Sequence, residues 1–345
     1  MQLVNYNLAL LSDCIQDIHP SSVLVLLDSN TDLYCYPLVR GFLPEHNVIV
    51  IPAGEENKNL QSCDAIWRKL TDARADRNAL VINLGGGMIT DLGGFASACY
   101  KRGLSFINIP TSLLAMVDAS VGAKTGIDFL GFKNQIGAFK SAEQVFVYTA
   151  FLDTLPKREL VSGMAEVVKH YLIADKDSFF EWNESMTSGS AFDWQSLVQK
   201  SIVIKQAIVD KDPLETGDRK ALNFGHTIGH AVETFFLRNG AGYLLHGEAV
   251  AIGMICEAYI SWVQSLLTEK ELQMVVSVLK KLFILPALDE NQYQELLQLM
   301  QQDKKNEAGE LRFTLLNGIG NYSIHQSVEE GVIIDAFNFY NRLLS

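Results

Sequence analysis

"NALVINLGGGMITDLGGF", residues 78–95, decides the fold. Leu80 to Leu84 form a short, mostly apolar run, closed by Gly85, Gly86 and Gly87, and the residues beyond have helical spacing. A buried strand that ends in glycines and enters a helix is the opening unit of a dinucleotide-binding α/β domain. Glycines let the backbone approach a pyrophosphate, and the helix N-terminus offers free N–H groups and a positive dipole end. The run departs from G-x-G-x-x-G, because Thr90 stands at the third glycine position. Taken alone, it is equally an ordinary tight strand-to-helix turn.

The flanking sequence repeats the pattern. "SSVLVLLDS", "HNVIVIP", "LSFINIPTS" and "EQVFVYT" are further short β-rich runs that end at turn residues, and "LQSCDAIWRKLTDAR" is a helix between two of them. Strands alternating with helices predict a mostly parallel, doubly wound sheet. Past Thr154 the strand signals fade. "KRELVSGMAEVVKHYLIAD", "WQSLVQKSIVIKQAIVDKD", "ALNFGHTIGHAVETFFL" and "HGEAVAIGMICEAYISWVQSLL" all carry helical apolar spacing. The fold expected is therefore α/β. A Rossmann-like dinucleotide-binding domain would span residues 1–154 and an all-α domain residues 155–345, with the boundary at Leu152–Pro156.

Composition narrows the function. The chain has 345 residues and a net charge of −12, which argues against a nucleic-acid surface. No apolar run approaches the ~20 residues of a membrane span, and the N-terminus lacks the basic start of a signal peptide. The five cysteines show no paired spacing and read as reduced thiols, so a cytoplasmic location is expected. An anionic substrate would need lysines and arginines concentrated locally against the acidic whole.

Some lysines stand in unusual places. Asp118 and Lys124 follow "PTSLL", and Lys133 and Asn134 lie in a glycine-bounded loop; each lysine on its own reads as solvated. Lys205 falls on the apolar stripe Val198–Ile202–Val209, where a charge needs a partner, an anion, or a path to water. Glu166 and Lys169 share the face opposite Leu160, Met164, Val168 and Tyr171. They form either a surface ion pair or the wall of a cleft.

Three of the seven histidines, His226, His230 and His246, cluster within "NFGHTIGHAVE" and "LHGEAV". His226 and His230 share a helix face at i,i+4, and Gly225 and Gly229 beside them would let another backbone come close. A catalytic zinc takes three protein ligands of N or O type and keeps one position open. With Glu166 the candidates are one too many for such a site.

Together these blocks resemble the 3-dehydroquinate synthase family, of the sugar-phosphate cyclase group, in order and over almost the whole length. The carriers are "GEENK" (54–58), "GGGMITDLGGFASACYKRG" (85–103), "PTSLLAMVDASVGAKTGID" (110–128) and "KNQIGAF" (133–139). They continue in "LPKRELVSGMAEVVKH" (155–170), Lys205, "GDRKALNFGHTIGHAVE" (217–233), "LHGEAVAIGM" (245–254) and "DKKN" (303–306).

The resemblance implies that Glu166, His226 and His246 ligate zinc, with cobalt as an alternative, and that His230 faces the substrate. It implies NAD contacts at Gly54, Glu55, Lys58, Gly86, Gly87, Asp91, Thr111, Ser112, Lys124 and Lys133, and along Phe151, Leu152, Asp153 and Thr154. Asp118, Lys124, Lys169, Lys205, Arg219, Asn223, His230 and the Lys304–Lys305 pair would meet the substrate. That substrate would be a phosphorylated sugar acid, 3-deoxy-D-arabino-heptulosonate 7-phosphate, converted to 3-dehydroquinate and phosphate in the shikimate pathway. The implied course is transient oxidation by bound NAD, phosphate elimination, re-reduction and intramolecular aldol closure, in a homodimer. One residue departs from the family's pattern: Ala123 stands where a second glycine usually precedes the lysine of "VGAK". Sister cyclases of the valiolone or inosose type, and metal-dependent alcohol or glycerol dehydrogenases, are the rival readings.

Overall fold

The computed structural model describes residues 2–188, 193–239, 244–303 and 311–344. The chain divides into two compact units, Met1–Leu160 and Val161–Ser345.

The first unit holds β1 (Leu3–Asn5), α1 (Leu11–Ile18), β2 (Val23–Asp28), α2 (Ser29–Tyr34), α3 (Tyr36–Val39), β3 (Asn47–Ile51), α4 (Leu60–Asp72), β4 (Leu80–Gly85), α5 (Gly87–Cys99), β5 (Ser105–Pro110), β6 (Lys124–Phe129), β7 (Phe132–Phe139) and β8 (Gln144–Phe146). Six strands form one sheet in the order β1-β8-β5-β4-β2-β3, and every pairing in it is parallel. β2 and β4 are buried at every residue, as a strand covered on both faces must be. The strand order reverses between β2 and β4. The carboxyl ends of β3, β4 and β5 therefore open beside a switch point, where such sheets bind ligands. "KNQIGAF" is not a loop: it lies in β7, which pairs antiparallel with β6. Alternation there is masked by two glycines and a register shift between Ile127 and Phe129.

The second unit contains most of α6 (Lys157–Ala174), then α7 (Lys176–Ser188), α8 (Trp194–Lys211), α9 (His226–Asn239), α10 (His246–Val263), α11 (Glu269–Leu282), α12 (Tyr293–Asp303), β9 (Arg312–Leu316), β10 (Tyr322–Ser327) and α13 (Glu330–Arg342). The expectation of an all-α second half needs one correction. β9 and β10 form an antiparallel hairpin whose turn carries Gly318 and Gly320 at φ +77° and +89°. Its connection, "NGIGN" (317–321), is a glycine-bearing hairpin loop longer than a two-residue turn.

α10 is the hub of this unit and packs against α9, α11, α13 and β9. It is apolar nearly all round, as a fully enclosed helix should be. Glycines set its distance from α9. A Cβ on Gly253 would lie 1.9 Å from the Gly225 carbonyl oxygen, and one on Gly229 would lie 3.1 Å from Val250 Cα. The two helices touch backbone to backbone, which brings the histidines of α9 beside the first turn of α10.

Candidate functional site

In the first unit, the residues expected at a dinucleotide gather at the carboxyl edge of the sheet. Gly54 (φ +114°) turns the chain after β3, ahead of Glu55 and Lys58. Gly86 caps α5 after β4, and Thr111 and Ser112 follow β5. The third fingerprint glycine normally allows close helix–sheet packing, and here that task falls one turn later. A Cβ on Gly93 would lie 2.1 Å from Asn83 Oδ1. The substitution at Thr90 is thereby accommodated.

Five charged side chains form one network around this edge. The Lys58 ammonium, 4% exposed, donates to Asp91 Oδ2 and to Asn134 Oδ1, each at 2.6 Å. Lys133 donates to Glu55 Oε1 at 2.8 Å and lies 3.5 Å from Asp128 Oδ2. Burial pulls Lys58 down, but Asp91, Glu55 and Asp128 outweigh it and raise its pKa. Burial pushes Asp91 and Asp128 up against the pull of the lysines. Asp128 and Asn134 were not among the expected contacts. Their role depends on the β6–β7 pairing, which sequence spacing does not reveal. Asp118 sits in a π-helical turn (Ala115–Ala119). Lys124 is exposed at the start of β6, directly after Ala123, whose φ is +64°. Phe151 and Leu152 are buried in a 3₁₀ segment, while Asp153 and Thr154 are exposed.

In the second unit, Glu166 and Lys169 are not a surface pair. They are 0% and 1% exposed, because α6 is buried on all sides from Ser162 to Ile173. The Lys169 ammonium pairs with Glu166 Oε2. His226 Nε2 lies 3.5 Å and His246 Nε2 3.8 Å from Glu166 Oε1. Neither carboxylate oxygen receives a hydrogen bond of ordinary geometry. Burial pushes the Glu166 carboxyl up, but Lys169, His246 and His226 together hold it well below the usual carboxylate range. Burial and Lys169 depress His226. His246, despite its burial, is pushed up to about 10 by Glu233 and Glu166.

The ligand atoms of Glu166, His226 and His246 lie within 4.8 Å of one another, and so do those of His230, Glu233 and His246. Two imidazole nitrogens and one carboxylate oxygen suit zinc and leave a fourth position open. Lys169 meets the carboxylate at Oε2, while Oε1 faces two ring nitrogens and accepts no hydrogen bond of ordinary geometry. The donor set thus fits a divalent metal. Glu233 was missed, although His226, His230 and Glu233 stand at i, i+4 and i+7 on one helix face.

The expected anion contacts are also held in place. Lys205 is 6% exposed on α8, whose buried face runs through Val198, Ile202 and Ile208 rather than Val209. Asp212 accepts from the backbone N–H groups of Thr216, Gly217 and Arg219 at 2.7–3.1 Å and so shapes the turn that carries buried Arg219. Asn223 Nδ2 donates to Glu215 Oε1 at 2.7 Å. Lys304 and Lys305 lie outside the described residues.

The family model described as 3-dehydroquinate synthase N-terminal matches residues 48–162, and the one described as 3-dehydroquinate synthase C-terminal matches residues 163–306. A 3-dehydroquinate synthase of Parabacteroides distasonis is 42% identical over 334 residues, covering 96% of this chain and 94% of that one. A 2-epi-5-epi-valiolone synthase structure from Streptomyces hygroscopicus subsp. jinggangensis, with NAD+ and Zn2+ bound, superposes with a TM-score of 0.88 at 26% identity, covering 99% and 97% of the two chains. A 2-deoxy-scyllo-inosose synthase complexed with carbaglucose-6-phosphate, NAD+ and Co2+ gives 0.85 at 24% identity, covering 97% and 95%, and speaks for the fold.

Proposed function

This chain belongs to the 3-dehydroquinate synthase family, and from that premise we propose that it converts 3-deoxy-D-arabino-heptulosonate 7-phosphate to 3-dehydroquinate and phosphate. The observation that carries the reading is the buried Glu166 carboxylate, without ordinary hydrogen bonds, facing two imidazole nitrogens. Glu166, His226 and His246 would hold a divalent metal, zinc by its donor set. The carboxyl edge of the parallel sheet would hold NAD, with Gly86 and Gly87 leaving the α5 N-terminus open to the pyrophosphate. When bound, NAD takes up and returns a hydride, and the metal polarises substrate oxygens as a Lewis acid.

The chain's own residues supply charge and position. Lys205 and Arg219, both buried, meet the anionic ends of a substrate that carries phosphate and carboxylate. Their charges act strongly because little water screens them. Asn223 and His230 orient substrate hydroxyls, and Lys169 holds Glu166 from the side away from the imidazoles. Asp118 and Lys124 would also contact substrate. A homodimer working in the cytoplasm belongs to this reading. Among the described residues no helix is long and apolar enough to cross a membrane.

The test mixes protein, NAD, zinc and the heptulosonate phosphate, and measures phosphate release against NADH build-up. Phosphate in many-fold excess over enzyme, with NADH remaining below the enzyme concentration, is the expected result. NADH accumulating in step with turnover would instead identify a dehydrogenase.

A further inference from the structure

Glu233 lies on α9 and reaches His246 at the start of α10. It is 7% exposed, and its Oε2 stands 3.2 Å from His246 Nδ1. The other nitrogen of the same ring, Nε2, faces Glu166 Oε1 at 3.8 Å. One imidazole thus lies between two buried carboxylates. A neutral imidazole has one N–H and one lone pair, so one carboxylate can share a cation with the ring and the other must take its proton.

His226 decides which does which. Its Nδ1 lies 3.1 Å from the Phe224 carbonyl oxygen, so Nδ1–H donates there and the Nε2 lone pair points toward Glu166 Oε1 at 3.5 Å. With a cation between them this arrangement is favourable. Were the cation held instead by His230, Glu233 and His246, the His226 lone pair would face a buried carboxylate oxygen, acceptor against acceptor, with nothing between. We propose that Glu233 is a positioning residue of the metal centre: it accepts the His246 Nδ1–H and so fixes the tautomer that turns Nε2 toward Glu166 and His226. This rests on the metal-centre reading above. It assigns the second cluster, His230–Glu233–His246, to support rather than to a second cation. Outer partners of this kind hold a ligating ring in orientation and raise its basicity.

The test strips the full-length protein of metal and measures zinc affinity by competition with a chelating indicator, together with the His246 Nδ1–H proton resonance of the zinc-loaded form. Glu233→Ala should weaken zinc by ~10–100-fold, keep one zinc per chain, and lose that resonance. Glu233→Gln, an isostere whose amide oxygen still accepts from Nδ1–H, should recover most of the affinity and the resonance. His230→Ala should bind zinc like the wild type. Unchanged affinity and an unchanged resonance in Glu233→Ala would overturn the proposal. So would loss of zinc in both Glu233→Ala and His230→Ala while His226→Ala keeps it. A wild-type protein that takes up no zinc would overturn the metal-centre reading itself, and this inference with it.

Discussion

The charges of the two units are solved in opposite ways. Around β3 and β4, Lys58, Lys133, Glu55, Asp91 and Asp128 satisfy one another at 2.6–3.9 Å. Around α6, α9 and α10, Glu166 meets Lys169 at Oε2, and its Oε1 faces the Nε2 atoms of His226 and His246 at 3.5 and 3.8 Å. The first arrangement is complete as it stands and pins the turn after β3 to α5 and to the β6–β7 hairpin. The second leaves Glu166 Oε1 facing two ring nitrogens, the donor set that a divalent cation would take. Buried charge alone therefore does not mark a candidate metal site; nitrogen and oxygen donors gathered around one point do.

The contrast can be broken from either side. Glu166→Gln should cause the largest loss: activity down at least ~10³-fold, with metal no longer retained on dialysis. Lys205→Met should lower turnover by ~10²–10³-fold, read in the same phosphate-release assay. Its stem is kept, so α8 should stay packed. Asp91→Asn strips a carboxylate from a buried lysine and should cost about 3 kcal/mol in urea unfolding, without changing metal content. The smallest effect should come from Ala123→Gly. A left-handed alanine costs about 1–2 kcal/mol, and glycine returns about 0.4–1 kcal/mol of that as chain entropy. A net gain of about 0.5 kcal/mol should appear as a slightly higher melting temperature. A loss of stability there would mean that the methyl packs usefully at φ +64°.

Much of this was legible beforehand. β2 to β5 and β8 announce themselves as short apolar runs closed by turn residues, and the parallel sheet follows from the helices between them. β1 is three residues long and leaves no periodic trace. The β6–β7 hairpin is diluted by Gly126, Gly131 and Gly137, so Asp128 and Asn134 went unnoticed as partners of Lys133 and Lys58. The Glu166–Lys169 pair reads as a surface bridge or a cleft wall as long as one apolar stripe counts as the whole buried face; α6 has no exposed face along its centre. Lys205 was legible for the complementary reason, a charge standing on a clear apolar stripe. Glu233 needed only the i+7 step from His226, but its partner sits on the next helix, and that contact exists only once the glycines bring α9 and α10 together.

The metal content of dialysed single variants tests the central claim most directly. The wild type and His230→Ala should each keep close to one zinc per chain, and His226→Ala and His246→Ala should each keep almost none. A zinc-depleted His230→Ala beside a zinc-replete His226→Ala would contradict the account and move the metal to His230, Glu233 and His246.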